Sequence, residues 1–549
     1  MATHNLAVIL KNPSNDAEFL LLKQTPPPKF SEDQYDSYVD SDLWDLPSTL
    51  LNLQHDHSHS GIVIQGAQSS HNIDLTKFDV QLALTGVLEK LGLTVNDVGE
   101  WSLFKYVEEA EFGPEFPVNT VFIMGNLLDG NQNCQEYAVA QATYCWKCSI
   151  TCSGLCKWMS TESCLTWLLE VKPCSDRVGP LVVFALINDS LQSAARTLPP
   201  TLRYQEYPPG VVILPMRSKT RKPFLTTNLV IFAPKQVSDT VGDCSFVAHG
   251  DALIVDPGCR HEYHEELKQI IACLPEKLIV FVTHHHLDHV EGLSIIQKCN
   301  PNATLLAHEN TMRRIGKGDW SLGYTSVSGE EDILVGGHRL TVIFAPGHTD
   351  SHMALLDVST NSLIVGDHCV GQGSAALDIT SGGNMTEYFQ TSYKFLELSP
   401  HTLIPMHGRV NLWPKNMLCG YLKNRRSREE SILKAIENGA ETLFDIVANV
   451  YSGVDRSLWT AAASNVRLHV DHLDQQKKLP KEFSVQRFHK TWVPFFLRWT
   501  CAYVSSRIQF KCPKLKISSL LITGTVIGIA GYSLGKKACF HLSKTGKGA

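Results

Sequence analysis

Leu278-Ile-Val-Phe-Val-Thr-His-His-His-Leu-Asp-His289 is the stretch on which the fold turns. Its first five residues are apolar without interruption, which is the composition of a strand buried on both faces. Metal-binding residue types follow at once, so Thr283 to His289 lie at a strand's end. In extended chain alternate side chains share a face: His284 and His286 can grip one cation while His285 points away. Asp288 and His289, one turn further, can face a second cation. With 23 histidines in 549 residues, chance would place His-x-His-x-Asp-His in on the order of a few chains per thousand. A cluster of merely structural histidines is therefore a poor account of it.

Three more candidate ligands each follow a β-type run. Leu340 to Phe344 leads into Ala345-Pro-Gly-His348, Ser362 to Val365 into Gly366-Asp367, and Thr402 to Pro405 into His407-Gly408. Singly, a His or Asp beside glycine reads as a turn residue; their order after the first motif supplies the weight. Imidazole with carboxylate favours zinc over manganese or iron. Further short β runs, Val211 to Leu214, Leu229 to Phe232, Cys244 to Val247 and Leu253 to Val255, precede the motif at regular spacing.

This pattern, HxHxDH then His, Asp and His, resembles the metallo-β-lactamase superfamily. The resemblance implies an α/β fold, an αββα sandwich, over residues 211–415, with two Zn2+ ions per chain. It implies His284, His286 and His348 at one ion, Asp288, His289 and His407 at the other, and Asp367 bridging, with Asp288, His289 and Asp367 closest to the chemistry. Leu253-Ile-Val-Asp-Pro-Gly258 is similar to the family's early strand and turn, making Asp256 the residue that orients the site through hydrogen bonds. A water shared by two zinc ions is acidified toward neutrality and becomes the expected nucleophile. Such a site permits ester, thioester, amide or phosphodiester cleavage, so the substrate must be argued from elsewhere.

After His407 the chain reads as helices over Arg426 to Gly439, Thr442 to Tyr451 and Ser457 to Leu479. Together they look like the winged-helix cap of the β-lactamase-like protein 2 group, expected over 416–480. Members of that group act as single-strand-preferring endoribonucleases and share a segment similar to Tyr421-Leu-Lys-Asn-Arg-Arg-Ser-Arg-Glu-Glu430. Lys423, Arg425, Arg426 and Arg428 are the candidate contacts to a backbone phosphate; equally, they could cover the cap's packing surface and pair with Glu429 and Glu430. Single-stranded RNA is the favoured partner. A glyoxalase II-like thioesterase is the alternative, because Pro346-Gly-His-Thr349 is also similar to that branch, which would make a small thioester the substrate. A mononuclear-iron oxidation and a membrane-held scaffold with a secondary hydrolase are the remaining readings.

A length of 549 residues suggests about three globular units plus appendages. The formal charge of −6 excludes a wholly basic nucleic-acid-binding surface, so any RNA contact must be local. Met1 to Lys11 lacks the basic and long apolar regions of a cleaved leader, and the 16 cysteines then read as reduced thiols of the cytosol or an organelle interior rather than a disulfide framework.

Residues 1–195 read as an α/β domain: apolar runs Leu6 to Leu10 and Phe19 to Leu22 flank the turn formers Asn12 to Asp16, Asp79 to Leu93 has helical spacing, and Val121 to Met124 and Leu181 to Ile187 read as strands. With Trp44-Asp-Leu-Pro47 and Lys157-Trp-Met-Ser160 this resembles a Nudix-type domain. That group's box places several carboxylates on one helix face to hold Mg2+; Thr85-Gly-Val-Leu-Glu-Lys-Leu-Gly92 keeps only Glu89 and Gly92, so the resemblance implies a degenerate domain that does not hydrolyse nucleotides. Cys145, Cys148, Cys152 and Cys156 read as a zinc knuckle or as plain thiols. Clustered prolines mark a linker at 196–210. Beyond the cap, 481–516 is expected to be a juxtamembrane segment and Ile517 to Leu534, uncharged between lysines, a transmembrane tail anchor about 27 Å long, with 535–549 as a tail; this implies membrane association on the cytosolic side or in an organelle.

Overall fold

The computed structural model describes residues 2–23, 44–54, 63–65, 73–113, 116–128, 155–160, 163–164, 168, 198–199, 202–206, 208, 210–233, 246–371, 373–411 and 414–511. The chain divides into two compact units, residues 1–422 and 423–549.

The first unit opens with strands Thr3–Asn12 and Asn15–Lys23 paired antiparallel across the turn-forming Asn12 to Asn15. Val118–Leu127 lies parallel to the first strand and antiparallel to Val98–Val107. The helix expected over Asp79 to Leu93 is Val80–Lys90. Asp79 caps it by accepting from the Leu82 N–H, and Gly92 takes φ +69 just beyond its end, where a left-handed residue releases the chain from the helix. Its Ala83, Leu84, Val87 and Leu88 pack with Leu6, Val8 and Leu10 of the first strand in one core. Leu181 to Ile187 and Cys145, Cys148 and Cys152 lie outside the described residues; Cys156 begins strand Cys156–Ser160 and is buried.

Two further sheets form the sandwich. One has the order Tyr324–Ser326, Thr304–Ala307, Leu278–Val282, Ala252–Val255, Thr226–Phe232, Val211–Arg217, Gln205–Glu206. The other runs Phe246–Gly250, Asp332–Val335, His338–Phe344, Met353–Asp357, Ser362–Gly366, Thr402–Pro405. The unbroken apolar run of Leu278–Val282 is explained by its two faces. Ile279 and Phe281 join Val342, Met353 and Ile364 of the facing sheet, while Leu278, Val280 and Val282 meet Leu267, Ile270, Leu293 and Ile296 of the covering helices His264–Ala272 and Leu293–Cys299. Helix Met385–Leu398 buries Tyr388 and Phe395, with the Tyr388 hydroxyl donating to the His368 carbonyl and Thr391 to that of Pro346.

The stretch expected to be a linker, 196–210, differs from that expectation. Leu198 is buried in the core of the sandwich and Gln205–Glu206 pairs with Val211–Arg217, because prolines on either side still allow two residues at a sheet edge to hydrogen-bond.

Helix Pro414–Glu437 begins in the first unit and continues into the second, ending before Gly439, which takes φ +93, and Thr442 caps Leu443–Val450 by accepting from the Asp445 N–H. Trp459–Gln475, Val485–Lys490 and Trp492–Lys511 follow. Phe488 and Phe495 are buried with Ile446, Val447, Val466 and Val470, and Trp492, Phe496 and Trp499 pack on the same core. Of the segment 481–516, expected to be juxtamembrane, residues through Lys511 are described, and Trp492, Phe495, Phe496 and Trp499 pack on the cap's core. The expected membrane attachment is corrected. Residues 517–534 lie outside the described residues, and among the described residues no helix is long and apolar enough to cross a membrane.

Candidate metal centre

Strand direction brings the site together. Ala252–Val255 is parallel to Leu278–Val282, and Ser362–Gly366 to Thr402–Pro405, so each pair ends at one edge and delivers Asp256 beside His284, and Asp367 beside His407. His348 arrives on the turn after His338–Phe344. The Met353 N–H donates to the Thr283 carbonyl at 2.9 Å, joining the two strand edges at the motif itself. Gly366, at φ +55, lets Asp367 enter: a Cβ there would overlap His352 Nε2, the atom that accepts the Asp367 backbone N–H at 3.0 Å.

Three ring nitrogens converge in the first cluster. His284 Nε2 lies 2.9 Å from His286 Nδ1, and His348 Nε2 lies 3.3 and 3.2 Å from them. A tetrahedral ion with nitrogen ligands at about 2.0–2.1 Å has edges of about 3.3 Å, so the spacing suits a shared cation. The opposite nitrogens explain why lone pairs face inward. His348 Nδ1 donates to the Ala376 carbonyl, and His286 Nε2 donates to Asp378 Oδ2 at 3.1 Å. His284 Nδ1 lies 3.0 Å from Thr283 Oγ1, whose hydroxyl proton goes to Asp256 Oδ2 at 2.6 Å. With each outer nitrogen's proton committed, the inner one is a donor of electrons. Burial, only partly opposed by Asp367, pushes His348 down to about 4. Burial, reinforced by the neighbouring His289, His286 and His348, holds His284 well below its usual value.

Asp367 links this cluster to a second. Its Oδ2 lies 3.9 Å from His284 Nε2 and 3.7 Å from His348 Nε2, whereas Oδ1 lies 3.5 Å from His289 Nε2 and 3.3 Å from His407 Nε2. Asp288 Oδ2 is 3.5 Å from His407 Nε2, and its Oδ1 is 3.9 Å from His289 Nε2. The outer nitrogens are again taken: His289 Nδ1 donates to Asp256 Oδ2 at 2.8 Å and His407 Nδ1 to the Thr226 carbonyl at 2.8 Å. Burial disfavours charge on His289, but Asp367, Asp288 and Asp256 outweigh it and hold the ring well above its usual pKa. His407 is likewise pushed up to about 9, burial being overcome by Asp367 and Asp288. Two imidazolium rings among these carboxylates carry the positive charge that a divalent cation would otherwise bring. His289 Nε2 and Asp367 Oδ1 are buried with no hydrogen-bond partner among the described residues, which costs free energy unless a cation is their partner. The donor set therefore fits two divalent cations sharing Asp367.

All seven candidate ligands come together, and Asp256 joins both halves by accepting from Thr283 and His289. The four basic residues lie in the second unit and divide. Arg425 is 4% exposed with its guanidinium bonded to Asn465, and Arg428 sits 4.2 Å over the Tyr451 ring and donates to the Val450 carbonyl; Lys423 and Arg426 are exposed. Arg425 and Arg428 thus serve the cap's own packing.

The sequence reading missed Asp378, the Thr226 and Ala376 carbonyls and His352, all of which orient ligands. It also missed the turn Arg217-Ser-Lys-Thr-Arg-Lys222, where Thr220 Oγ1 comes within 3.5 Å of His407 Nε2 and Lys219, Arg221 and Lys222 are exposed. Four cations in six residues were the available signal for that turn. The carbonyls had no signal, since any residue type supplies one.

Residues 237–444 match the family model described as Metallo-beta-lactamase superfamily, and residues 442–487 match the Beta-lactamase associated winged helix domain. The chain is similar to "Beta-lactamase-like protein 2 homolog" of Drosophila melanogaster, 27% identical over 248 residues, 41% of this chain and 80% of that protein. It resembles the protein of that name from Caenorhabditis elegans at 27% over 241 residues, 43% of this chain and 77% of that one. A similar protein in Claviceps purpurea, "Atrochrysone carboxyl ACP thioesterase", is 26% identical over 219 residues, 38% of this chain and 66% of its own length.

Proposed function

We propose that this chain, which carries a metallo-β-lactamase superfamily domain with its associated winged helix over residues 237–487, is a two-zinc hydrolase that cleaves phosphodiester bonds of single-stranded RNA. The observation that carries the hydrolase reading is Asp367, whose two oxygens turn to two separate sets of imidazoles. When bound, a zinc pair would supply an acidified water and Lewis-acid polarisation of the scissile bond. The chain's residues do the rest. Asp378, Asp256 and the Thr226 and Ala376 carbonyls fix the four outer imidazole protons, so that the inner nitrogens and the Asp288 and Asp367 carboxylates would hold the pair.

The polyanionic substrate is supported by the exposed Arg221 and Lys222 of the turn Lys219 to Lys222, which reaches the site through Thr220, Lys219 itself being paired with Glu291. Phosphate oxygens suit such a turn, through charge-assisted hydrogen bonds strengthened by counterion release. The likeness to the β-lactamase-like protein 2 group points the same way. A thioester is the second reading, favoured by the similarity to a protein named as an ACP thioesterase and by Pro346-Gly-His-Thr349.

Purified, zinc-loaded full chain should be offered single-stranded RNA, duplex RNA, a glutathione thioester and an acyl-carrier thioester. Cleavage of the single strand is expected, abolished by chelation and by Asp288→Ala with His289→Ala. Thioester turnover with RNA left intact reverses the order of the two readings.

A further inference from the structure

Arg409, two residues past His407, is held by the N-terminal sheet domain. Its Nε donates to Glu109 Oε1 and its Nη2 to Glu109 Oε2, each at 3.0 Å, and Nη2 also reaches the Phe116 carbonyl at 2.9 Å. Glu109 is itself locked, accepting from the Val118 N–H at 2.6 Å and donating its own N–H to Asn119 Oδ1 at 3.1 Å. A guanidinium fork on an immobilised carboxylate, with both side chains only 26% and 21% exposed, is a stiff joint.

The neighbouring residues drive the same segment into the hydrolase. Ala110 and Phe112 are buried in one core with Val255, Phe281 and Met406, the residue before His407. A Cβ on Gly113 would stand 3.3 Å from the Phe224 ring, and Phe224 stacks on the His407 imidazole with centroids 5.5 Å apart. Between His407 and Arg409, Gly408 takes φ +91 and lies so close to the chain that a Cβ would be 2.7 Å from Gly371 Cα. The turn has no slack, so a displacement at Arg409 passes to His407.

We propose that residues 109–113 of the N-terminal domain are a structural part of the metal centre, with Glu109, acting through Arg409, as a positioning residue for His407 and hence for the second cation. Gly113, packed against Phe224, backs the same ring from its face, while Phe112 anchors the segment in the core that holds Met406. The N-terminal domain is then required for the hydrolase's full metal complement. This inference rests on the reading that the Asp288, His289 and His407 set binds a cation.

The test is a zinc titration of the full chain against a competing chelator, repeated with Co2+ to follow its absorption bands, on wild type, Glu109→Gln, Arg409→Lys, Arg409→Ala and Phe112→Ala. Wild type is expected to bind two equivalents. In Glu109→Gln and Arg409→Ala the second equivalent should weaken about 10- to 100-fold, the usual range for removing a residue that orients a ligand, with the first equivalent unchanged and Arg409→Lys intermediate. Circular dichroism checks that each variant is folded, and Glu109→Gln, which keeps shape, stands for the joint if Phe112→Ala does not fold. Second-equivalent affinity within twofold of wild type in all four variants overturns the proposal, as does equal weakening of both equivalents. A wild-type chain that binds no cation, or one only, overturns the two-cation reading itself and this inference with it.

Discussion

Asp256→Asn probes the hydrogen bonds that aim the second ligand set. Asp256 is wholly buried and accepts three bonds: from the Thr283 N–H at 2.8 Å, the Thr283 hydroxyl at 2.6 Å and His289 Nδ1 at 2.8 Å. It does so from φ 49, a left-handed conformation that Asp tolerates better than most residues and that Asn shares. The amide therefore keeps backbone and volume while turning one acceptor into a donor. If the NH2 faces His289, that ring must accept at Nδ1, which moves its proton to Nε2 and aims it at Asp367 and the cation. If the NH2 faces Thr283 instead, two buried N–H groups oppose each other. Either arrangement loses a hydrogen bond to a charged group, costing about 2 kcal/mol, which at about 1.4 kcal/mol per factor of ten weakens the second cation about 30-fold. The first cluster should lose less, because it touches Asp256 only through the Thr283 hydroxyl. The assay is zinc bound per chain, by mass spectrometry, together with competition titration at pH 7.5. Two equivalents at wild-type affinity in the folded variant would refute the tautomer argument.

The two clusters should load with different pH slopes. His407, held up to about 9, must shed a proton to bind, so the second equivalent should tighten by up to about tenfold per pH unit per proton between pH 7 and 9; the first, whose His348 sits near 4, should change little, and equal slopes in titrations across that window would contradict this. For the metal-free chain the sign is opposite: the stabilisation from charged His407 is complete below its ordinary value of 6.5 and lost as pH rises through about 9, so thermal denaturation should show a lower Tm at pH 9.5 than at pH 6.5. In the cap, Glu429 is bonded to His472 and held down to about 2, burial being outweighed by His469 and His472. Glu429→Gln should destabilise the second unit by about 1–3 kcal/mol at pH 7, read by urea denaturation, with the difference from wild type shrinking as pH falls from 4.5 toward 2. Gly366→Ala should abolish uptake of both cations, measured as metal per folded chain, because its Cβ would overlap the nitrogen that holds the Asp367 backbone.

The legible part of the site was the part carried by side-chain type and strand periodicity. His284, His286, Asp288 and His289 sit within six consecutive residues, and His348, Asp367 and His407 each follow an apolar run that had to be a buried strand. The hydrogen-bond partners were not legible for a different reason. His286 meets Asp378 across 92 residues and His407 meets the Thr226 carbonyl across 181, and no local pattern encodes a pairing at that separation. The basic residues after Tyr421 show the same limit: charge marks Lys423, Arg425, Arg426 and Arg428 alike, but helix phase sends Arg425 into the cap and leaves Arg426 exposed.

By itself the sequence determined the buried strands, the ligand types and their order, because unbroken apolar runs and the chemistry of imidazole and carboxylate are local properties; the sandwich was implied by the family resemblance those residues carry. Tertiary structure alone decided which oxygen of Asp367 faces which cluster, which nitrogen of each histidine keeps its proton, and that Glu109 reaches Arg409 from the loop between two strands of another sheet. Those outcomes depend on where strands end relative to one another, and that is settled only when the two sheets pack and distant backbone groups become neighbours.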